Sequence, residues 1–155
     1  MVKTVRMLCL VQQDAFTADQ ILRIEAGIRY IYIKYFGPHR LEGYWMYAPP
    51  GQAFVAGAQS TASAVVLPVA DGLALDIRHA FMREVTALWM ERARCRNSEI
   101  VLNATDHTYT VNLIRAMSRR YRPTMRLFGL ARMVFGFMRS RLRRGHALIS
   151  VNMAH

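Results

Sequence analysis

The order strand–helix–strand, written twice within the first 106 residues, constrains this chain more than any other feature of its sequence. From Val5 to Val11 the residues alternate, with Val5, Met7, Cys9 and Val11 on one side and Arg6, Leu8 and Leu10 on the other. The second side is also largely apolar, so the spacing predicts a strand buried on both faces. Thr17 followed by Gln20 matches a capping box, in which each side chain satisfies a backbone N–H of the other residue. Ile21, Ile24, Ile28, Ile31 and Tyr35 then recur every three or four residues. That is one apolar face of a helix of about five turns. Gly37 supplies a left-handed stop and Pro38 forbids continuation. A second strand is predicted over Tyr44–Tyr47, followed by a Pro-, Gly- and Ser-rich loop, APPGQAFVAGAQSTAS.

The pattern then repeats. Ala64–Val69 reads as a strand, with Pro68 pointing to an edge or a bulge. After the Asp71-Gly72 turn, a helix from about Leu75 to Arg94 presents Ile77, Phe81, Val85, Leu88 and Trp89 on one face. Asn97-Ser98 leads into a fourth strand, Ile100–Ala104. Two consecutive βαβ units imply two parallel strand pairs in one four-stranded mixed sheet, with both helices on one face, an α+β architecture. The uncovered face needs burial, and oligomerisation is the usual means.

Composition narrows the function classes. At 155 residues and 53% apolar, the chain can bury a core and is not disordered throughout. No run of eighteen apolar residues is present, and MLCLV near the start is too short for a secretory signal, so a cytoplasmic protein is expected. Cys9 and Cys95 form no disulfide framework and are expected as buried thiols. Two cysteines and five scattered histidines do not assemble a metal site. GQAFVAGAQ matches neither phosphate-loop pattern, and no cofactor is expected.

Charge divides the chain in two. Residues 1–106 carry eleven Lys/Arg against ten Asp/Glu, whereas residues 107–155 carry ten arginines and no acid. The boundary near Asp106 separates a βαβ–βαβ domain, 1–106, from an arginine-rich C-terminal extension, 107–155, expected to be partly helical. From about Thr124 to Arg144, Leu127, Ala131, Val134, Phe135, Met138 and Leu142 share one helical face, with Arg132, Arg139 and Arg143 opposite.

The segments QDAFTADQ entering the first helix, GP ending it, APPGQAFVAGAQ, DGLALDIRHAF and EIVLNATDH stand in an order and spacing that resembles the tautomerase superfamily. The local sequence narrows the resemblance to the branch of cis-3-chloroacrylic acid dehalogenase and the oxalocrotonate tautomerase-like proteins. The resemblance covers about two thirds of the chain and implies a homotrimer. It also implies a chemistry in which an N-terminal proline amine moves a proton beside a substrate carboxylate held by arginines.

Each part of that machinery can be placed here. The proline position falls on Val5, whose nitrogen is a peptide amide without basicity, and the first proline of the chain is Pro38. Removal of Met1 would free the amine of Val2, three residues too early. Tyr32 stands at the histidine position, Ala70 and Leu73 stand at the two arginine positions, and the water-activating carboxylate falls near Ile114. The expectation is a catalytically degenerate, pseudoenzyme member of the fold.

Other residues keep two readings each. Arg6, Tyr32 and Arg78 could line a remnant pocket for a small carboxylate; the plainer reading puts Arg6 at an interface or edge, Tyr32 partly buried, and Arg78, with His79 and Arg83, on a solvated helix face. Cys9 has no histidine or lysine neighbour to activate it and reads as an inert core thiol. The tail, with Arg132, Arg139 and Arg143 as anion contacts, could lie on an anionic membrane surface or bind nucleic acid. Its third reading is a replaced C-terminal region, from a changed reading frame or a mispredicted exon, with no selected partner. The alternative function is therefore a non-enzymatic oligomeric binding protein that uses this tail. A true enzyme of altered mechanism, using the Val2 amine or Tyr32, remains as a third.

Overall fold

In β1 (Lys3–Gln12), the alternate residues Val5, Met7, Cys9 and Val11 are buried, while Arg6, Leu8 and Leu10 face out. The structure is a computed structural model that describes residues 3–119, 138, 139, 142 and 147–150. The elements that follow are α1 (Ala18–Phe36), β2 (His39–Ala48), β3 (Phe54–Val55), β4 (Ala58–Gln59), β5 (Ser63–Val69), α2 (Leu75–Ala93), β6 (Ile100–Asp106), α3 (His107–Arg119) and β7 (Ala147–Ser150). A single 3-10 turn, Asn97–Glu99, leads into β6.

The main sheet has the order β6-β5-β1-β2-β7. β1 and β2 pair in parallel from Lys3↔His39 to Gln12↔Ala48, β5 and β6 pair in parallel, and β1 meets β5 antiparallel over Leu8↔Val66 to Leu10↔Ala64. The two βαβ units thus make the expected four-stranded mixed sheet. β7 adds a fifth strand, parallel to β2 from Tyr44↔Ala147 to Tyr47↔Ser150. This strand covers an edge whose unpaired backbone groups would otherwise face water.

α1 starts as its sequence dictates. Thr17 and Gln20 form the reciprocal capping box, with Gln20 N–H donating to Thr17 Oγ1 at 3.2 Å and Thr17 N–H to Gln20 Oε1 at 2.9 Å. It stops at Gly37, whose φ of +76° few other residues adopt without strain. Ile21, Ile24, Ile28, Ile31 and Tyr32 are buried, whereas Tyr35 is half-buried. From α2 come Phe81, Val85 and Trp89; Ile77, placed on the same face by spacing, is 41% exposed because the first turn of α2 runs past the edge of the core. Trp45 of β2 stacks on Trp89 at 5.8 Å between ring centroids, with Phe16 edge-on to both.

Three expectations change. β1 is buried on one face only: Leu8 and Leu10 remain 36% and 37% exposed, because among the described residues no second layer covers that side of the sheet. β5 lies inside the sheet, between β6 and β1, and tolerates Pro68 because its pairing with β1 ends at Val66, before the missing N–H would be needed. The loop after β2 holds a small hairpin, β3–β4, turning on Ala56 and Gly57, both with positive φ.

The expected helix 124–144 falls mostly outside the described residues, as do Arg132 and Arg143; Met138, Arg139 and Leu142 are helical and exposed. α3 begins at His107, directly after β6. Among the described residues, no helix is long and apolar enough to cross a membrane.

Candidate functional site

A cavity of about 140 Å³ opens where β1 and β2 begin. β1 contributes Lys3 and Val5, two residues apart and so on the same side of the strand, and β2 contributes His39, the register partner of Lys3. α1 closes it with Tyr32 and Phe36, the end of β5 with Pro68 and Val69, followed directly by Ala70, and the start of α3 with His107. The position that the resemblance assigns to the N-terminal proline is therefore at this cavity, but Val5 is 4% exposed and its nitrogen is a peptide amide within β1.

Tyr32 is buried, and its Oη donates to the Pro68 carbonyl at 2.8 Å. Burial pushes the phenol up to about 12, so it stays neutral and its proton is committed. The ring lies edge-on to His39, 5.4 Å between centroids. His39 Nδ1 lies 3.1 Å from the Gly37 carbonyl. A carbonyl only accepts, so Nδ1 carries the proton and Nε2 is the ring nitrogen left for another partner.

Asp71, next to Ala70, reaches from the turn after β5 to the first turn of α3. One of its oxygens accepts from Thr108 N–H at 2.9 Å, and the other accepts from Thr108 Oγ1. These hydrogen bonds, with smaller contributions from His107 and Lys3, hold the Asp71 carboxyl below its ordinary value. Asp71 thus supplies from another loop the cap that α3 needs at its N-terminus.

The residues singled out from sequence separate into two groups. Val5, Tyr32 and Ala70 meet at the cavity. Leu73 instead packs against the core, and Ile114 lies within α3. Arg6 is exposed on the opposite, uncovered face of β1. Arg78 ties α2 to β6, donating to the Ala104 carbonyl at 2.5 Å and to the Asp106 carboxylate. Cys9 is fully buried, and burial, with Glu25 adding to it, pushes its thiol well up. Val2 lies outside the described residues.

Lys3, His39 and His107 were not among the expected site residues. Lys3 was within reach of the alternation that gave Val5; His39 and His107 sit at element starts and carry no local signal. Among the described residues, no group of three metal-ligating side chains comes together.

No family model and no curated protein matches the sequence. Solved structures do. Native Ps01740 is 19% identical, over 67% of this chain and 96% of that one, with a TM-score of 0.63. N1, a member of the cis-3-chloroacrylic acid dehalogenase family, is 7% identical over 65% and 73% of the two chains, TM-score 0.61. The F6 fused 4-OT wild-type asymmetric trimer is 8% identical over 65% and 85%, TM-score 0.59. At these identities the likeness is one of architecture, and with the two βαβ units above it establishes that this chain has the fold of the tautomerase superfamily.

Proposed function

We propose that this protein is a tautomerase-like, cis-3-chloroacrylic acid dehalogenase-like scaffold that has lost the amine-based proton transfer of its relatives and keeps a small ligand cavity. The observation that carries this reading is Val5: it occupies the cavity where the chemistry calls for a basic chain-terminal nitrogen, and it offers an amide. Ala70 and Leu73 supply no cation for a substrate, and the hydroxyl of Tyr32 is hydrogen-bonded to Pro68. Each missing group on its own could be a variation in mechanism; together they leave the relatives' amine-based proton transfer, and the arginine pair that orients the substrate for it, without the residues that perform them.

Assembly belongs to the same reading. Leu8, Leu10 and Val101 are exposed on the face of the sheet that no helix among the described residues covers. The similar fused 4-OT structures are trimers, and a homotrimer would bury that face here. A cytoplasmic location accords with this reading.

The test is a keto–enol assay with phenylenolpyruvate and 2-hydroxymuconate, using full-length protein whose processed N-terminus is verified by mass. The expected result is no turnover above buffer at concentrations that saturate a proline-bearing relative. Clear turnover would mean that another residue serves as base, and would overturn the reading.

A second reading is favoured by charge alone: residues 107–155 carry ten arginines and no acid. In it, the oligomer is a binding protein whose tail, with Arg132, Arg139 and Arg143, contacts anionic membrane or nucleic acid. Binding to anionic vesicles or to single-stranded DNA that collapses in high salt, and on deletion of residues 115–155, would support it.

A further inference from the structure

The outward side of α1 is not polar, as the solvent side of an amphipathic helix ordinarily is. Ile21, Ile24, Ile28 and Ile31 are buried, yet Leu22, Tyr30 and Ile33 on the other side are 43%, 73% and 41% exposed. At about 100° per residue these three share one stripe with Ala26 and Arg29, both also exposed. We propose that the outward face of the α1–α2 layer is a docking surface for an acidic amphipathic helix of a partner protein. Leu22, Tyr30 and Ile33 are its apolar anchors, and Arg29 and Arg83 are its cations.

α2 supplies the other flank. Lys34 Nζ meets both Glu84 oxygens at 2.9 Å, and Leu88 packs so closely on Gly27 that a Cβ there would stand 2.6 Å from Leu88 Cδ2. The two helices are therefore held side by side along Glu84 and Leu88. Arg83 and Ala87 each precede one of these residues and are exposed, so they form the shoulder of α2 next to α1. Beyond them Met82, Thr86 and Met90 line a groove of about 430 Å³ to which Arg83 and Ala87 also belong. Methionine side chains adapt to the shape of an apolar partner, and exposed tyrosine and arginine are residues on which binding energy concentrates.

Charge decides the occupant. On these two helices Asp19 is engaged by Arg23, Glu25 by Trp45, Glu84 by Lys34 and Glu91 by Arg92, while Asp76 sits in the first turn of α2. Arg29 and Arg83 join none of the ion pairs among the described residues. A helix with carboxylates beside an apolar stripe complements both features. A second copy of this face would bring the same two cations, and residues 107–155 of this chain, with ten arginines and no acid, would bring more. The homotrimer proposed above would bury the opposite face of the sheet, so it leaves this one open.

The experiment uses the full chain and a fluorescein-labelled synthetic peptide of about 20 residues, about 30 Å long as a helix, with leucine on one face and glutamate on the other. One control peptide has the same composition in scrambled order, and a second has lysine in place of glutamate. By anisotropy, the amphipathic glutamate peptide is expected to bind about tenfold or more tightly than either control. Tyr30→Ala/Ile33→Ala leaves every charge in place and suits a helix, so circular dichroism should be unaltered. It should weaken that peptide about tenfold or more. Arg29→Glu/Arg83→Glu should weaken it as well and strengthen the lysine peptide. In the unmutated protein, amide resonances of Ala26, Tyr30 and Ala87 should move on saturation, and those of Leu8 and Leu10 should not.

Equal binding of the scrambled peptide would reduce the interaction to charge alone and overturn the proposal. So would an unchanged affinity in Tyr30→Ala/Ile33→Ala, or no binding of the amphipathic peptide. Two further outcomes would also overturn it. If that variant lost binding to phosphatidylserine vesicles, with no peptide bound, the face would belong to a membrane. If it lowered the mass in sedimentation equilibrium, the occupant would be a second copy.

Discussion

Tyr32 Oη donates a 2.8 Å hydrogen bond to the carbonyl of Pro68, joining α1 to the end of β5 across the floor of the cavity. The pairing of β5 with β1 has ended two residues earlier, so this hydroxyl satisfies a carbonyl that the ladder with β1 leaves open. Tyr32→Phe removes the donor and leaves a buried acceptor. The expected cost is about 1–3 kcal/mol of stability, read as a lower denaturation midpoint at unchanged m-value. A neutral outcome would show that water reaches Pro68 and that the floor is wetter than its burial indicates.

Glu25 and Gly43 fit one another. The Glu25 carboxylate accepts from Trp45 Nε1 at 2.7 Å, and it lies over Gly43, where a Cβ would stand 2.8 Å from Glu25 Cδ and 3.0 Å from Trp45 Nε1. Gly43→Ala is expected to cost about 1–3 kcal/mol through this overpacking. The substitution should also be non-additive with Glu25→Ala in a double-mutant cycle, because shortening residue 25 relieves the clash. Additive effects would show that the glycine is needed for its backbone alone.

Arg78 holds α2 to β6 through Ala104 and Asp106 rather than facing the cavity. Arg78→Ala should therefore lower stability by about 1.5–3 kcal/mol, the range for hydrogen bonds to a charged group. Full stability in the variant would show that Arg78 does not hold α2 to β6 in solution.

Asp71 should make the start of α3 sensitive to acid. Its folded-state carboxyl lies below the ordinary value because Thr108 donates to it. The contribution is present above the unfolded value of about 3.9 and is lost as pH falls through the lower folded value. The Thr108 amide resonance should titrate with a midpoint below about 3.9, and Asp71→Asn should remove that step. A midpoint at or above the ordinary aspartate value would mean that the cap is not formed in solution.

The uncovered sheet face should decide the oligomeric state. Leu8→Arg places a charge among Leu10 and Val101 on that face without entering the core behind it. Sedimentation equilibrium is expected to change from trimer to monomer with an unaltered circular dichroism spectrum. An unmodified protein that is already monomeric would remove the homotrimer from the reading.

By itself the sequence determined the parts of this protein that depend on neighbours along the chain. The Thr17–Gln20 capping box, the isoleucine face of α1, the stop at Gly37 and the alternation of β1 are all set within a few residues, and they appear where the spacing puts them. Two consecutive βαβ units then leave few topologies open, because parallel strands need a crossover and crossovers share a hand. Strand lengths were not legible in the same way. β1 begins at Lys3 and β2 at His39 because the two pair there, and neither residue carries a strand signal of its own. Nor could local pattern show that Pro68 lies beyond the end of the β1 ladder, that β7 completes the sheet, or that Ile77 falls outside the core.

The site shows the same division. Val5, Tyr32 and Ala70 could be placed one by one from resemblance, since each lies within or directly beside an element. The company they keep in the cavity could not. Lys3, His39 and His107 are drawn from three elements up to 104 residues apart. Their meeting is decided by strand register and by the docking of α3, which are tertiary contacts that no local window of sequence contains.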